Sequence, residues 1–219
     1  MPNKDHIAYI EENISFIKEP ILIIGSKQYN FDQYNFYFEF NRMGLKDITG
    51  LDIQHGKGVD FVLDICDSKD IFFNQFSNYY NTIICMETLY AVINPFKAAE
   101  NIYRVMNKNS ILIFSDVFVR RIARMPTDYW RFSYDAHKIL FDKLKFDDSK
   151  TKISIIRQNK LIDLVYPYPE FLKYSRHPDE SLISYLLRKM NRKFFSVGLL
   201  NLPRLFPELS IFSISTKVD

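Results

Sequence analysis

The sequence predicts an α/β fold in which a largely parallel sheet is covered by helices on both faces. Two observations lead to this prediction. Short apolar runs that suit buried strands alternate along the chain with segments whose apolar residues recur at helical spacing. The first run, Ile21-Leu22-Ile23-Ile24, is continuous and rich in β-branched residues, which is typical of a parallel strand buried on both faces.

Local patterns predict each element in turn. Pro95 stands near the first turn of one helix, where proline is tolerated, and Gly44 ends another. Because strands and helices alternate, we expect right-handed crossovers between parallel strands. The predicted helices cover 6–18, 31–43, 95–106 and 134–144, and the predicted strands cover 21–24, 48–53, 59–65, 82–85, 111–114, 152–156 and 209–215.

Length and composition restrict the class of protein. The chain has 219 residues, 47% of them apolar, which fits one domain over 1–219 with a helical lid or insertion over 167–207. The formal charge of +3 is too small to indicate nucleic-acid binding, and no apolar run is long enough to cross a bilayer. The start lacks a basic segment followed by an apolar stretch, so we expect a cytoplasmic protein. Two cysteines and four dispersed histidines predict no metal site.

The segment between Pro167 and Pro207 contains more basic than acidic residues. Its predicted helix over 182–195 has two interpretations. It either makes a weak contact with an anionic membrane surface or a lipid-linked substrate, or it is a lid helix with a solvated face. Its basic and aromatic residues are Arg188, Lys189, Arg192, Lys193, Phe194 and Phe195.

The residues just after the predicted strands form the candidate site, because ligands of open parallel sheets bind at the carboxyl ends of the strands. Asp52 suits a carboxylate that accepts hydrogen bonds from both ribose hydroxyls of a nucleoside. Asp64 suits one that accepts from an exocyclic adenine amine, and the apolar neighbours Ile53 and Ile65 would enclose the ring faces. The alternative is that each aspartate caps a helix N-terminus.

Four strings of residues extend this interpretation. They are Ile24-Gly25-Ser26-Lys27, Gly50-Leu51-Asp52-Ile53-Gln54-His55-Gly56-Lys57-Gly58-Val59-Asp60, Glu87-Thr88-Leu89-Tyr90-Ala91 and Pro126-Thr127-Asp128-Tyr129-Trp130-Arg131-Phe132-Ser133. Over roughly residues 20–145 they resemble the class I S-adenosylmethionine (SAM)-dependent methyltransferases. The resemblance implies a Rossmann-like, seven-stranded sheet with an antiparallel last strand. It also implies SAM as cofactor, contacted by Gly25, Ser26, Lys27, Asp52, Ile53, Asp64, Ile65, Met86 and Glu87.

The same resemblance suggests roles for the residues near the methyl acceptor. Asp128 is the first choice for a general base or orienting group, and His137 is the second. Tyr129 and Trp130 would wall the acceptor pocket, and Arg131 would hold an anionic acceptor. The alternatives are a surface or satisfied histidine at position 137, core packing of the two aromatic rings, and a salt bridge from Arg131 to a sheet-edge acid.

The chain departs from the family at several positions. Ile23, Lys27 and Tyr29 stand where the family has an acid and two glycines, and Ala91 and Ala123 stand where it has histidines. A side chain in place of glycine either closes the pocket or reroutes the loop. These departures motivate a second interpretation, in which a methyltransferase-fold protein has lost catalysis and serves as a binding or partner subunit.

The leading interpretation is a SAM-dependent methyltransferase that modifies a small or carbohydrate-derived acceptor at oxygen, in cell-surface glycan synthesis. Its partner would be a small-molecule or lipid-linked glycan acceptor. A nicotinamide-dependent dehydrogenase is disfavoured, because the chain lacks the second and third glycines of the pyrophosphate-binding turn after Gly25.

Overall fold

The computed structural model describes residues 3–120, 122, 127–155, 160–167, 181–187, 190 and 208–218. The chain divides into two units, Met1–Leu164 with Pro207–Asp219, and Val165–Phe206. In the second unit residues 182–187 are helical, whereas Arg188, Lys189 and residues 191–207 lie outside the described residues. A lid over 167–207 and a membrane contact through 182–195 therefore stay predictions.

Helices and strands alternate through the first unit. The helices are α1 (Lys4–Glu12), α2 (Phe36–Arg42), α3 (Ile71–Gln75), α4 (Pro95–Val105) and α5 (Tyr134–Leu140). The strands are β1 (Ile21–Ile24), β2 (Ile48–Asp52), β3 (Phe61–Val62), β4 (Tyr80–Met86), β5 (Met106–Val119), β6 (Lys145–Phe146), β7 (Lys152–Ile155), β8 (Lys160–Asp163) and β9 (Leu209–Thr216). Short 3-10 turns cover Ile14–Phe16, Leu89–Ala91 and Asp148–Lys150.

Within the described residues nine strands join one sheet in the order β3-β2-β1-β4-β5-β9-β7-β8, and β6 pairs with β9. Strands β1 to β5 are parallel to one another, and β9 is antiparallel to β5 and β7. The predicted parallel core and antiparallel last strand are thus confirmed. The predicted count of seven strands is wrong, because β6 and β7 pair with successive stretches of β9 and β8 adds a further edge strand.

The central strands are buried between two hydrophobic layers. Leu22 and Ile24 of β1 pack with residues of α3 and α4, whereas Ile21 and Ile23 pack with residues of α1 and α2. All four side chains are at most 2% exposed. Strand β1 is therefore buried on both faces, as its continuous apolar run predicts.

Several element boundaries differ from those predicted. Helix α2 begins at Phe36 rather than at 31, because Asn35 caps it by accepting the Phe38 N–H at 3.1 Å. Strand β5 begins at Met106 rather than at 111, because it includes polar residues that a criterion of continuous apolar sequence excludes. Helix α3, which Asp70 caps, was not predicted.

His137 lies in the hydrophobic core on helix α5. Its side chain is fully buried, its ring centroid is 4.5 Å from that of Phe114, and its Nδ1 is 3.0 Å from Ser213 Oγ. Burial lowers the pKa of His137 to about 3. The expectation that His137 acts on the methyl acceptor is therefore corrected, because its side chain is buried in the core and does not line the cavity described below.

The buried imidazole predicts a pH-dependent stability. The unfolded chain takes up a proton on His137 near pH 6.5, whereas the folded chain does so only near pH 3. The contribution of His137 to the free energy of unfolding therefore falls as the pH is lowered through 6.5. Between pH 7 and 5 we expect the free energy of unfolding of the native protein to fall by about 2 kcal/mol more than that of His137→Gln. Urea denaturation at both pH values measures this difference.

The exposed His55 supplies the control, since His55→Gln is expected to keep the pH dependence of the native protein. Equal pH dependence in His137→Gln and the native protein would mean that the folded state already protonates His137.

Candidate functional site

A cavity of about 390 Å³ lies at the carboxyl ends of β1, β2 and β4. Its size is within the range of roughly 300–1,000 Å³ that is typical of small-molecule sites, and its position is that of ligands in open parallel sheets. Seven of the nine residues predicted to contact a cofactor line it: Gly25, Lys27, Asp52, Ile53, Asp64, Ile65 and Glu87. The other two, Ser26 and Met86, are buried in the protein instead.

The turn after β1 is in close contact with the loop after β4. Gly25 has a φ of +74°, and a Cβ at this position would lie 2.2 Å from Thr88 Oγ1. The Thr88 hydroxyl is within hydrogen-bond distance of two carbonyl oxygens, that of Ile24 at 3.2 Å and that of Met86 at 3.0 Å. Residue 25 must therefore be glycine both for its conformation and for space.

Asp52 joins the loops that follow β1 and β2. Its Oδ2 accepts the Lys27 N–H at 3.0 Å, and its Oδ1 accepts the Gln54 N–H at 2.9 Å. A carboxylate has about four acceptor positions, so each oxygen keeps one for a ligand. The half-buried side chain also lines the cavity.

Asp64 follows β3, and its exposed side chain lines the same cavity. One of its oxygens accepts the Cys66 N–H at 2.8 Å. It does not cap a helix, since α3 begins at Ile71 and has Asp70 as its cap. Ile53 and Ile65 flank the two aspartates along the chain and also line the cavity.

Lys27 and Tyr29 both lie on the cavity wall. The Lys27 ammonium donates to Gln54 Oε1 at 2.7 Å and lies 5.0 Å from the Tyr29 ring centroid. The cavity remains open beside these side chains. Ile23 is buried in the core.

Glu87 lines the cavity with a side chain that is 5% exposed. Its φ of +45° is unfavourable for a non-glycine residue. Arg120 Nη1 donates to Glu87 Oε2 at 3.1 Å, and Ser210 Oγ donates to Oε1 at 3.2 Å. Burial by itself would raise the pKa of Glu87, but the nearby His6 and Arg120 hold it below its ordinary value. Glu87 therefore presents an anion to the cavity.

Asp116 in β5 is a second buried carboxyl close to this group. It accepts the Tyr90 N–H at 2.9 Å and the Val117 N–H at 2.8 Å. Burial raises the pKa of Asp116 to about 7, and the charge of Glu87 acts in the same direction. Through Tyr90, Asp116 fixes the loop after β4 on its side of the cavity.

Residues 127–132 hold the loop after β4 in place through hydrogen bonds. Tyr90 O accepts the N–H groups of Tyr129 at 2.9 Å and Trp130 at 3.0 Å, and the Trp130 indole donates to Val92 O at 2.8 Å. Thr127 Oγ1 donates to Ala91 O at 2.8 Å. Tyr129 also lines the cavity, so this string supplies both a brace and part of the wall.

Asp128 and Arg131 form an ion pair within this string, in which both carboxylate oxygens accept from one guanidinium. The hydrogen bond to Asp128 raises the pKa of Arg131. Neither residue lines the cavity, and the same is true of Trp130. Arg131 thus forms a salt bridge, but its partner is Asp128 of the same string rather than the sheet-edge acid of the alternative. The core-packing alternative fails for Tyr129 and Trp130, which are 52% and 38% exposed.

The Gly-x-Gly-Val-Asp string, residues 56–60, determines the conformation of the loop between β2 and β3. A Cβ on Gly50 would lie 2.0 Å from Gly58 O. Asp60 Oδ2 accepts the Gly50 N–H at 2.7 Å and the Tyr37 hydroxyl at 2.8 Å. These contacts hold the loop against β2, next to Asp52.

Sequence reasoning missed several residues of the site. The loop after β4 supplies a continuous part of the wall, although only its first residues were predicted to contact a ligand. The position of this loop at a strand end was the signal that could have found them. The missed lining residues include Thr88, Tyr90, Val92, Ile93 and Thr127.

Comparison of the sequence with protein-family models and with curated proteins finds no match. Solved structures do share the fold. A SAM-dependent methyltransferase from Archaeoglobus fulgidus is similar with a TM-score of 0.53 and 16% identity, over 96% of this chain and 92% of its own. A SAM-dependent methyltransferase from Methanosarcina mazei is similar with a TM-score of 0.52 and 10% identity, over 94% and 97%. The similarity establishes the predicted Rossmann-like class I methyltransferase fold.

The contact between Gly25 and Thr88 predicts a large effect of a single methyl group. Gly44→Ala, at φ +88° with open space around it, is expected to cost about 1 kcal/mol for the backbone conformation. Gly25→Ala adds a steric overlap, which costs a further 1–3 kcal/mol, roughly, in packed sites. Denaturant unfolding of both variants measures the difference, and equal losses of stability would contradict the tight contact.

Proposed function

We propose that the protein is a SAM-dependent methyltransferase that acts on a small acceptor. The observation that carries the proposal is the cavity at the carboxyl ends of β1, β2 and β4, into which Asp52 and Asp64 present carboxylate oxygens with free acceptor positions. The fold shared with SAM-dependent methyltransferases supports this choice among nucleoside-binding functions.

The residues present fit an adenosine group. Asp52 would hold the ribose hydroxyls, and Asp64 would hold the exocyclic amine of adenine. Ile53 and Ile65 would contact the faces of the ring system. When bound, SAM supplies an electrophilic methyl group on a sulfonium.

The charges near the turn after β1 fit the amino-acid end of the cofactor. Lys27 would pair with its carboxylate, and Glu87 would pair with its ammonium. Gly25 leaves the backbone of the turn accessible between these two charges. The protein thus contributes binding and orientation, which bring the acceptor close to the methyl group.

The acceptor is proposed from the residues on the outer side of the cavity. Tyr129 is exposed and lines the cavity beside Thr127, and an aromatic face of this kind suits the ring of a carbohydrate-derived acceptor. We therefore propose O-methylation of a sugar-containing or lipid-linked acceptor in cell-surface glycan synthesis. In this proposal Asp128 and Arg131 hold Tyr129 in place through their ion pair, rather than contacting the reacting atoms.

We place this reaction in the cytoplasm. The two cysteines, Cys66 and Cys85, are free thiols, which suits a reducing compartment. Among the described residues no helix is long and apolar enough to cross a membrane.

A second candidate function is a non-catalytic binding or partner protein. Lys27 and Tyr29 favour it, because their side chains stand on the cavity wall where the resembling family has only backbone. This candidate predicts that the site does not bind the cofactor.

Calorimetric titration with SAM and its demethylated product, S-adenosylhomocysteine, distinguishes the two candidates. We expect both nucleosides to bind, and we expect Asp52→Asn and Asp64→Asn each to weaken binding by roughly tenfold or more, because each loses a charged acceptor. Asp67→Asn is the matched control, since Asp67 is exposed near Asp64 but does not line the cavity. Failure of both nucleosides to bind at millimolar concentration would favour the second candidate.

A further inference from the structure

Helix α1, which sequence reasoning left outside the site, brings a histidine next to Glu87. His6 is fully buried, and its Nε2 lies 3.8 Å from Glu87 Oε1. The distance is longer than a hydrogen bond but short enough for a direct electrostatic contact. The N-terminal helix therefore reaches the wall of the cavity from behind.

The hydrogen bonds of His6 fix the position of its proton. Its Nδ1 accepts the Asn3 N–H at 3.0 Å, as part of the cap of α1. Burial lowers the pKa of His6 to about 4, although the charge of Glu87 acts in the opposite direction. The imidazole is therefore neutral near pH 7, and its single proton is on Nε2.

This Nε2–H is a buried donor that has no hydrogen-bond partner among the described residues. An unpaired buried donor is unfavourable, so its retention calls for an explanation. The nearest charged group that faces it is the carboxylate of Glu87.

Glu87 itself is held in a strained conformation by several elements at once. Its φ is +45°, and its N–H donates to Ser115 O in β5 at 2.8 Å. Arg120, just after β5, contacts Oε2, and Ser210 in β9 contacts Oε1. His6 of α1 adds a fourth contact, on the side of Oε1.

Glu87 stays an anion where it lines the cavity. Its pKa is held below the ordinary value, and Arg120 Nη1 pairs with Oε2 at 3.1 Å. The neutral Nε2–H of His6 lies 3.8 Å from Oε1, so it faces this oxygen without neutralising it. The carboxylate therefore offers a negative charge to a cationic group in the cavity.

We propose that His6 is a positioning residue that directs the carboxylate of Glu87 toward an ammonium group of the bound ligand. The inference rests on the proposed function, since the ammonium is that of the amino-acid end of SAM. It makes α1 part of the ligand-binding machinery, in addition to its role in covering the sheet.

The test compares a nucleoside that carries this ammonium group with one that does not. S-Adenosylhomocysteine has the amino-acid end, whereas 5′-methylthioadenosine lacks it. We expect His6→Leu, which retains an apolar side chain next to Phe212, to weaken the binding of S-adenosylhomocysteine roughly tenfold, because the buried electrostatic contact of the imidazole N–H with the Glu87 carboxylate is lost. Its affinity for 5′-methylthioadenosine is expected to stay unchanged.

Asn3→Ala is the control for a structural role, because it removes the same cap of α1 and leaves His6 in place. We expect it to leave both affinities unchanged. In a Glu87→Gln background, His6→Leu is expected to cause no further loss of affinity for S-adenosylhomocysteine, since His6 acts through Glu87. If His6→Leu does not fold, His6→Met takes its place in both comparisons.

Three results would overturn the inference. They are an equal loss of affinity for both nucleosides in His6→Leu, a loss of affinity for S-adenosylhomocysteine in Asn3→Ala, and an undiminished effect of His6→Leu on that affinity in the Glu87→Gln background. If the native protein binds neither nucleoside, the proposed function itself fails. The native titration therefore separates the two kinds of failure.

Discussion

The site depends on how closely the loops at the carboxyl ends of the parallel strands can approach one another. Gly25 leaves no room for a side chain against Thr88, and Gly50 leaves none against Gly58. Asp52 then ties the turn after β1 to the loop after β2 through two peptide N–H groups. These contacts hold the loops together at the strand ends, beside a cavity of a size that suits a small molecule.

The sequence predicts the parallel core because a buried parallel strand requires a continuous apolar run, as in β1. Seven of the nine residues that it predicts at a cofactor site line the cavity, since strand ends meet at one edge of the sheet. It does not predict β6 and β8, which are short edge strands without such a run. It misplaced His137, because the helical pattern around that residue does not say which face is buried.

The partners of charged residues were the least predictable part of the site. Glu87 pairs with Arg120 and Ser210, which are far from it in sequence and meet it only in the folded sheet. Asp128, in contrast, pairs with Arg131 three residues away, so that the most recognisable string braces the cavity instead of offering a free base. Local sequence thus identified residues that line the cavity better than it identified the contacts of each side chain.

A crystal structure of the protein with S-adenosylhomocysteine tests the central claim most directly. The account predicts the nucleoside in the cavity, with its ribose hydroxyls on Asp52 and its adenine amine on Asp64. A nucleoside bound elsewhere, or a bound nucleoside that leaves both aspartates in contact with peptide N–H groups alone, would contradict it.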